Sequence, residues 1–190
     1  DASEVRRLRE VAGILSGQLT DIEKIDSTCW ILFDNNDLAP FHSENYRFLL
    51  AHRKQFSQQV GQEKVDRRLG MLYTGVLSSI VWGRDTKTTF ADVQEIGKVI
   101  RTLKTDDKKR LLAYVSLANA YKEKNTSELL KISKKAFPVF SDADVMMMVM
   151  PVSVYFRTQE DKAALREFIP VGRTVVPNLK MQENVNYVTY

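Results

Sequence analysis

Apolar residues recur three and four positions apart along most of the chain, which is the period of an amphipathic α-helix. This period predicts about ten helices, whereas the only β-branched run, V-G-R-T-V-V-P, is too short to predict a strand. The expected helices start near residues 3, 21, 43, 65, 89, 111, 125, 141, 160 and 177, with a loop over W-G-R-D-T-K-T-T-F. The sequence therefore predicts an all-α fold.

Residues typical of helix ends support these boundaries. Three pairs have the spacing of a capping arrangement, in which side chains at a helix start bond the free amides of its first turn. These pairs are Thr89 with Asp92, Asn125 with Glu128, and Ser141 with Asp144. Gly17 and Gly61 are expected to end the first and third helices. Pro170 and Pro177 are expected to interrupt the last two.

The apolar stripe of each helix is predicted to face a common core. In the third to seventh helices the predicted core residues are Tyr46, Leu49, Leu50, Phe56, Val60, Val65, Leu69, Leu72, Val76, Ile80, Phe90, Val93, Ile96, Ile100, Leu103, Leu111, Tyr114, Val115, Ala118, Tyr121, Leu129, Ile132, Ala136 and Phe140.

Neighbouring helices pair into units of roughly 30 to 40 residues, the period of helical-hairpin repeats. The expected pairs are third with fourth, fifth with sixth, seventh with eighth, and ninth with tenth. Two segments match part of the tetratricopeptide pattern, although Tyr or Leu at this spacing is also typical of a plain core. The matching residues are Tyr114, Leu117, Ala118 and Tyr121, then Tyr155, Ala164 and Phe168. We expect antiparallel hairpins in a degenerate tetratricopeptide-like solenoid.

Length and charge narrow the possible partners. The chain has 190 residues, 44% of them apolar, and can bury a core as one helical domain over 1–190 without disulfides or metals. Its 28 Lys and Arg are interspersed with 24 Asp and Glu, as in K-T-D-D-K-K-R. A nucleic acid is bound by a stripe of one sign, so we expect no nucleic-acid partner.

The ends of the chain and its apolar runs bear on location. The longest apolar run, V-M-M-M-V-M-P-V-S-V-Y-F, is shorter than the roughly 20 residues that cross a bilayer, so no membrane span is predicted. The chain shows no basic segment followed by an apolar stretch, so we expect a signal peptide to have been removed or to lie outside this sequence. The chain starts at Asp1 and ends at Y-V-T-Y without closing signals, so we expect a fragment of a longer protein.

Cys29, the single cysteine of the chain, shares an apolar stripe with Ile22, Ile25 and Leu32. A redox thiol needs a lowered pKa, access to solvent and usually a second cysteine. The sequence around Cys29 offers none of these, whereas free cysteine commonly packs as a small buried side chain. We therefore interpret Cys29 as a core residue, and an internal disulfide is impossible.

Metal and hydrolase sites are not predicted. His42 and His52 fit no metal-ligand spacing, and a solvated face is the ordinary interpretation of both. No G-x-S-x-G or similar motif places a nucleophile in a strained turn. Acidic pairs at helix starts are harder to exclude from catalysis, but carboxylates there mainly cap the helix. These pairs are Asp106 with Asp107 and Asp142 with Asp144.

Two further motifs also have a structural interpretation. The segment G-R-D-T-K-T-T resembles a phosphate loop ending at Lys87 and Thr88, but it lacks the glycine before the lysine and is too short. A methionine cluster could line an adaptable groove or bind Cu(I), yet successive residues point all round a helix. We favour a central helix buried on several sides. The cluster comprises Met146, Met147, Met148 and Met150. No catalytic, metal or cofactor residue is therefore assigned.

Residues 29–69 carry a resemblance to a known family. They contain a Trp before an apolar triplet and an acidic turn (C-W-I-L-F-D-N-N-D), then the aromatic-rich Y-R-F-L-L-A-H-R-K-Q-F, then V-G-Q-E-K-V-D. This segment resembles the helical region beside the thioredoxin domain in uncharacterised secreted thioredoxin-fold proteins of Gram-negative gut bacteria. The family's C-x-x-C pair has no counterpart here, so no redox role carries over to any residue. The resemblance implies a periplasmic or secreted protein and a flanking thioredoxin-fold domain.

These observations favour a non-catalytic helical module that binds a protein or peptide partner or serves a structural role. The alternative hypothesis is an auxiliary helical region of a thioredoxin-like thiol-disulfide oxidoreductase whose catalytic domain lies outside this chain. An independent enzyme is the third hypothesis, because no catalytic motif supports it.

Overall fold

The computed structural model describes residues 46–47, 49–159 and 161–173. Every regular element in this part of the chain is helical, which confirms the all-α class. The helices described are α1 (Arg53–Val60), α2 (Gln62–Val81), α3 (Phe90–Thr102), α4 (Lys108–Lys122), α5 (Thr126–Ala136), α6 (Asp142–Asp144), α7 (Met150–Thr158) and α8 (Lys162–Arg173). Residues 46–47 and 49–51 are also helical. A 3-10 helix (Phe137–Val139) follows α5, and a π-helix (Val145–Val149) joins α6 to α7.

The predicted helix boundaries hold over most of the described chain. Side chains cap α3 and α5 as expected, and a capping box formed by Ser141 and Asp144 opens α6. Gly61, with φ of 91°, ends α1 and directly precedes α2. The expected interruption at Pro170 is wrong, because α8 continues through it to Arg173. The predicted first, second and tenth helices lie outside the described residues, so the count of about ten stays a prediction.

Helix α4 packs against α2, α3 and α5. Two glycines allow the close approach of its neighbours. A Cβ at Gly70 of α2 would lie 3.2 Å from Leu111 Cδ1, and one at Gly97 of α3 would lie 3.1 Å from Val115 Cγ1. Both distances are shorter than ordinary van der Waals contacts, so a side chain at either glycine would push its helix away from α4. The glycines thus set the spacing of this part of the core.

Only some of the predicted pairs are neighbours. α1 packs on α2, and α3 packs on α4, in agreement with two predicted pairs. We expected the seventh segment, which is α5, to pair with the eighth. This prediction is wrong, because α5 packs mainly on α4 and α8. The repeat arrangement of a solenoid therefore remains a prediction.

Among the described helices, α2 is buried on the most sides, and every residue from Leu72 to Val81 is buried. The methionine cluster was also expected to lie on a helix buried on several sides, and this prediction is wrong in part. Met148 is fully buried, but Met147 and Met150 are half-buried and Met146 is 55% exposed. The methionine cluster therefore lies at the edge of the core.

Most predicted core residues with described side chains are buried, and four depart from the prediction. Phe90 is exposed at the first position of α3. Leu50, Tyr121 and Ile132 are half-buried at the margin of the core. The apolar period therefore identified the core and overestimated it at these four positions.

A buried ion pair ties α1 to α2 and to the chain after α3. The Asp66 side chain is fully buried, and its Oδ1 accepts a hydrogen bond from Arg53 Nε at 2.9 Å and lies 2.7 Å from Arg53 Nη2. Asp66 Oδ2 accepts a hydrogen bond from the backbone amide of Lys104 at 2.8 Å. Because a buried carboxylate without partners is strongly unfavourable, these donors fix where the three segments meet.

Seven aromatic rings form a continuous chain of contacts that starts and ends on α4. Successive ring centroids lie 4.5 to 5.8 Å apart, within the range of favourable aromatic pairs. In order of contact the rings are Tyr114, Phe140, Phe137, Phe168, Phe156, Tyr155 and Tyr121. This aromatic chain joins α4 to the 3-10 helix, α8 and α7.

Leu117 lies on α4 and is fully buried, so Leu117→Ala should leave a cavity. We expect it to lower the free energy of unfolding by about 2 to 5 kcal/mol, measured by urea denaturation. Leu112→Ala on the same helix is the matched control and should cost less, because Leu112 is half-buried. An unchanged midpoint for Leu117→Ala would contradict the packing of α4.

Candidate functional site

A groove of about 380 Å³ opens where α2, α4 and α7 meet. This volume lies at the lower end of the range for ligand sites and suits one or two side chains of a peptide. Its lining is largely aromatic and aliphatic, with one charged residue. The lining residues are Val81 and Trp82 at the end of α2, Tyr121 and Lys124 at the end of α4, and Pro151, Val154, Tyr155, Thr158 and Gln159 on and after α7.

Two tyrosines form the aromatic wall of the groove. The rings of Tyr121 and Tyr155 meet edge to face at 5.4 Å, and the Tyr155 hydroxyl lies 3.2 Å from Thr126 Oγ1. Burial raises the pKa of Tyr121, and the nearby Tyr155 raises it further. The Tyr121 hydroxyl is therefore neutral at physiological pH and can donate or accept a hydrogen bond.

Trp82 is held in place at the opposite side. Its Nε1 donates a hydrogen bond of 3.2 Å to the backbone oxygen of Met146, and the Arg84 guanidinium lies 4.9 Å from its ring centroid. Gly83 between them has φ of 71°, and a Cβ there would lie 3.1 Å from Tyr121 Oη. Glycine adopts this backbone conformation without strain and leaves room for the approach of Tyr121.

Two exposed apolar side chains lie at or near the groove. Among the described residues, the exposed large hydrophobic side chains are Phe90, Met146 and Val154. Val154 lines the groove, and Met146 belongs to the segment that Trp82 contacts. Exposed apolar groups next to a concave aromatic surface are typical of binding sites.

The segment that resembles a phosphate loop uses the amides at its end for contacts within the fold. Asp85 is buried, and its Oδ1 accepts hydrogen bonds from the amides of Lys87 at 3.0 Å and Thr88 at 2.9 Å. Its Oδ2 accepts a hydrogen bond from Thr88 Oγ1 at 2.6 Å. A carboxylate thus occupies the donors that a phosphate would need.

The candidate metal and acid residues are dispersed. No group of three or more His, Cys, Asp or Glu in the described ranges is arranged to hold a metal, and Cys29 and His42 lie outside those ranges. His52 is exposed, and its ring lies 6.3 Å from that of Phe56. Asp106 and Asp107 are exposed in a separate cleft with charges of both signs, at residues 103–108.

The two acidic residues at the start of α6 lie in different environments. Asp142 is exposed, whereas Asp144 is buried and its Oδ1 accepts hydrogen bonds from Tyr114 Oη at 2.6 Å and Arg110 Nη1 at 2.8 Å. Its Oδ2 accepts from the Ser141 amide at 2.7 Å. Burial opposes ionisation of Asp144, but these hydrogen bonds prevail and lower its pKa below the usual 3.8. Asp144 therefore ties α6 to α4 as an ionised structural residue.

The groove was not predicted as a site, although two of its residues were singled out. Tyr121 and Tyr155 belong to the two partial tetratricopeptide matches, and the structure brings them into contact. Trp82 fell in a predicted loop and carried no signal. A half-exposed aromatic at a helix end looks the same in sequence as a core residue.

Within the described part of the chain, the helices are too short or too polar to cross a membrane. No protein-family model, curated protein or solved structure matches the chain. The resemblance of residues 29–69 and the periplasmic or secreted location therefore stay predictions.

The lowered pKa of Asp144 predicts acid sensitivity. A carboxylate with a lowered folded-state pKa stabilises the protein above the unfolded value near 3.8, and this stability is lost as pH falls through the folded value. Asp144→Asn should lower the free energy of unfolding by about 2 to 4 kcal/mol at neutral pH and should reduce the loss of stability on acidification.

Urea denaturation at neutral pH and at about pH 3 measures both effects. Asp92→Asn is the control, since Asp92 occupies the same capping-box position on a more exposed surface and should cost about 1 kcal/mol. Equal effects of the two variants would contradict the structural role of the buried cluster.

Proposed function

We propose that the chain is a non-catalytic helical module that binds a short peptide segment of a partner protein in the groove between α2, α4 and α7. The observation that carries this proposal is the groove itself, where Trp82, Tyr121 and Tyr155 surround an exposed Val154. Aromatic side chains supply large contact areas at small entropic cost and are enriched in interaction hot spots.

The contacts that hold the groove in shape favour binding over catalysis. The aromatic chain and the Trp82 hydrogen bond hold its walls, so little ordering is needed when a peptide binds. The ionisable side chains with shifted pKa values serve mainly structural contacts. Asp144, for example, accepts four hydrogen bonds within the fold.

Selection from a library of random linear peptides displayed on phage tests this function. Peptides selected on the wild-type protein should share an apolar or aromatic residue that enters the groove. Val154→Gln should weaken their binding about tenfold, measured by isothermal titration calorimetry on synthetic peptides. Val154 is 42% exposed, so this substitution should leave the fold intact.

Phe90→Gln is the matched control, because Phe90 is 41% exposed and lies outside the groove. It should bind the selected peptides as the wild type does. Failure to select any peptide whose binding depends on Val154 would contradict the proposed function.

The resemblance of residues 29–69 supports a second candidate, an auxiliary region of a thioredoxin-like oxidoreductase in the periplasm or outside the cell. The full-length gene should then encode a flanking W-C-x-x-C segment and a signal peptide. Their absence from the complete gene would exclude this candidate.

A further inference from the structure

Lys124 lies in a backbone conformation that normally selects glycine. Its φ is 51°, and it is the one non-glycine residue with positive φ in the described ranges. The amide of Lys124 donates to the Tyr121 oxygen at 3.1 Å, and that of Asn125 donates to the Ala120 oxygen at 3.1 Å. This pair of bonds is the Schellman motif that ends many helices, in which Lys124 occupies the left-handed position.

A lysine at this position is unfavourable for the fold. The left-handed region brings the Cβ close to the backbone, and glycine avoids this contact. Residues in strained backbone conformations cluster at functional sites, where the surrounding structure holds them in place. The property that Lys124 offers is its charge at the mouth of the groove.

The electrostatics of the groove fit this role. Of the nine described residues that line it, Lys124 is the charged one, and none is acidic. Lys124 is exposed and forms no ion pair with any described residue, although Glu123 is adjacent in sequence. The Arg84 guanidinium, 4.9 Å from the ring centroid of Trp82, adds positive charge next to the lining residue Trp82.

We propose that the groove selects peptides in which an apolar side chain is adjacent to an Asp or Glu, with the peptide carboxylate bound by Lys124. This inference rests on the proposed function and adds the chemistry of the ligand. Capture of a C-terminal carboxylate usually relies on a nest of backbone amides. At this end of α4 the amides of Lys124 and Asn125 are already bonded to carbonyl oxygens, which leaves the ammonium group as the donor.

The test uses the peptides selected on the wild-type protein, synthesised with amidated C-termini so that only side-chain carboxylates remain. Replacing the acidic residue by its amide should weaken binding about three- to tenfold in the wild type. Lys124→Gly should weaken binding of the acidic peptide by a similar factor, and the two changes together should cost little more than either alone. Lys124→Asn, which also tolerates the left-handed conformation, should behave as Lys124→Gly does, and Lys124→Arg should retain binding.

Lys124→Gly should change stability and peptide binding in opposite directions. Lys124→Gly should raise Tm by about 2 °C because it removes the backbone strain while it weakens binding. Peptides that depend on Val154 but bind the wild type and Lys124→Gly equally would overturn this inference and leave the proposed function standing. Absence of any Val154-dependent peptide would overturn both.

Discussion

The close packing of α4 is the constraint from which the described structure follows. Gly70 and Gly97 let α2 and α3 approach it, and the aromatic chain leaves α4 at Tyr114 and returns to it at Tyr121. Because dense interiors resist displacement, a shift at one end of α4 would be felt at the other. The groove at the end of α4 therefore takes its shape from the same contacts that stabilise the core.

Two buried carboxylates fix how the surrounding segments meet that core. Asp66 joins α1 and the chain after α3 to α2, while Asp144 joins α6 to Tyr114 of α4. A buried ion pair adds little net stability but penalises arrangements that leave one partner unpaired. These clusters therefore specify the arrangement of the helices, and apolar packing supplies most of the stabilisation.

Local features of the sequence predicted local features of the fold. The apolar period predicted the helices, and the pair Thr89 and Asp92 predicted the start of α3. Both patterns depend on contacts within one or two helical turns. Contacts distant in sequence were not predictable, since nothing near Gly97 specifies that Val115 lies against it. For the same reason the groove was not predicted, since its walls come from three segments that are far apart in the sequence. The exposure of Phe90 shows that a periodic position at a helix end need not face the core.

The location of the binding site is the central claim, and NMR chemical-shift mapping tests it most directly. A selected peptide is titrated into the isotopically labelled protein, and backbone amide shifts are followed. We predict the largest changes at residues 81–84, 121–125 and 151–159, which surround the groove. Changes concentrated at the charged cleft of residues 103–108, with none at the groove, would contradict the account.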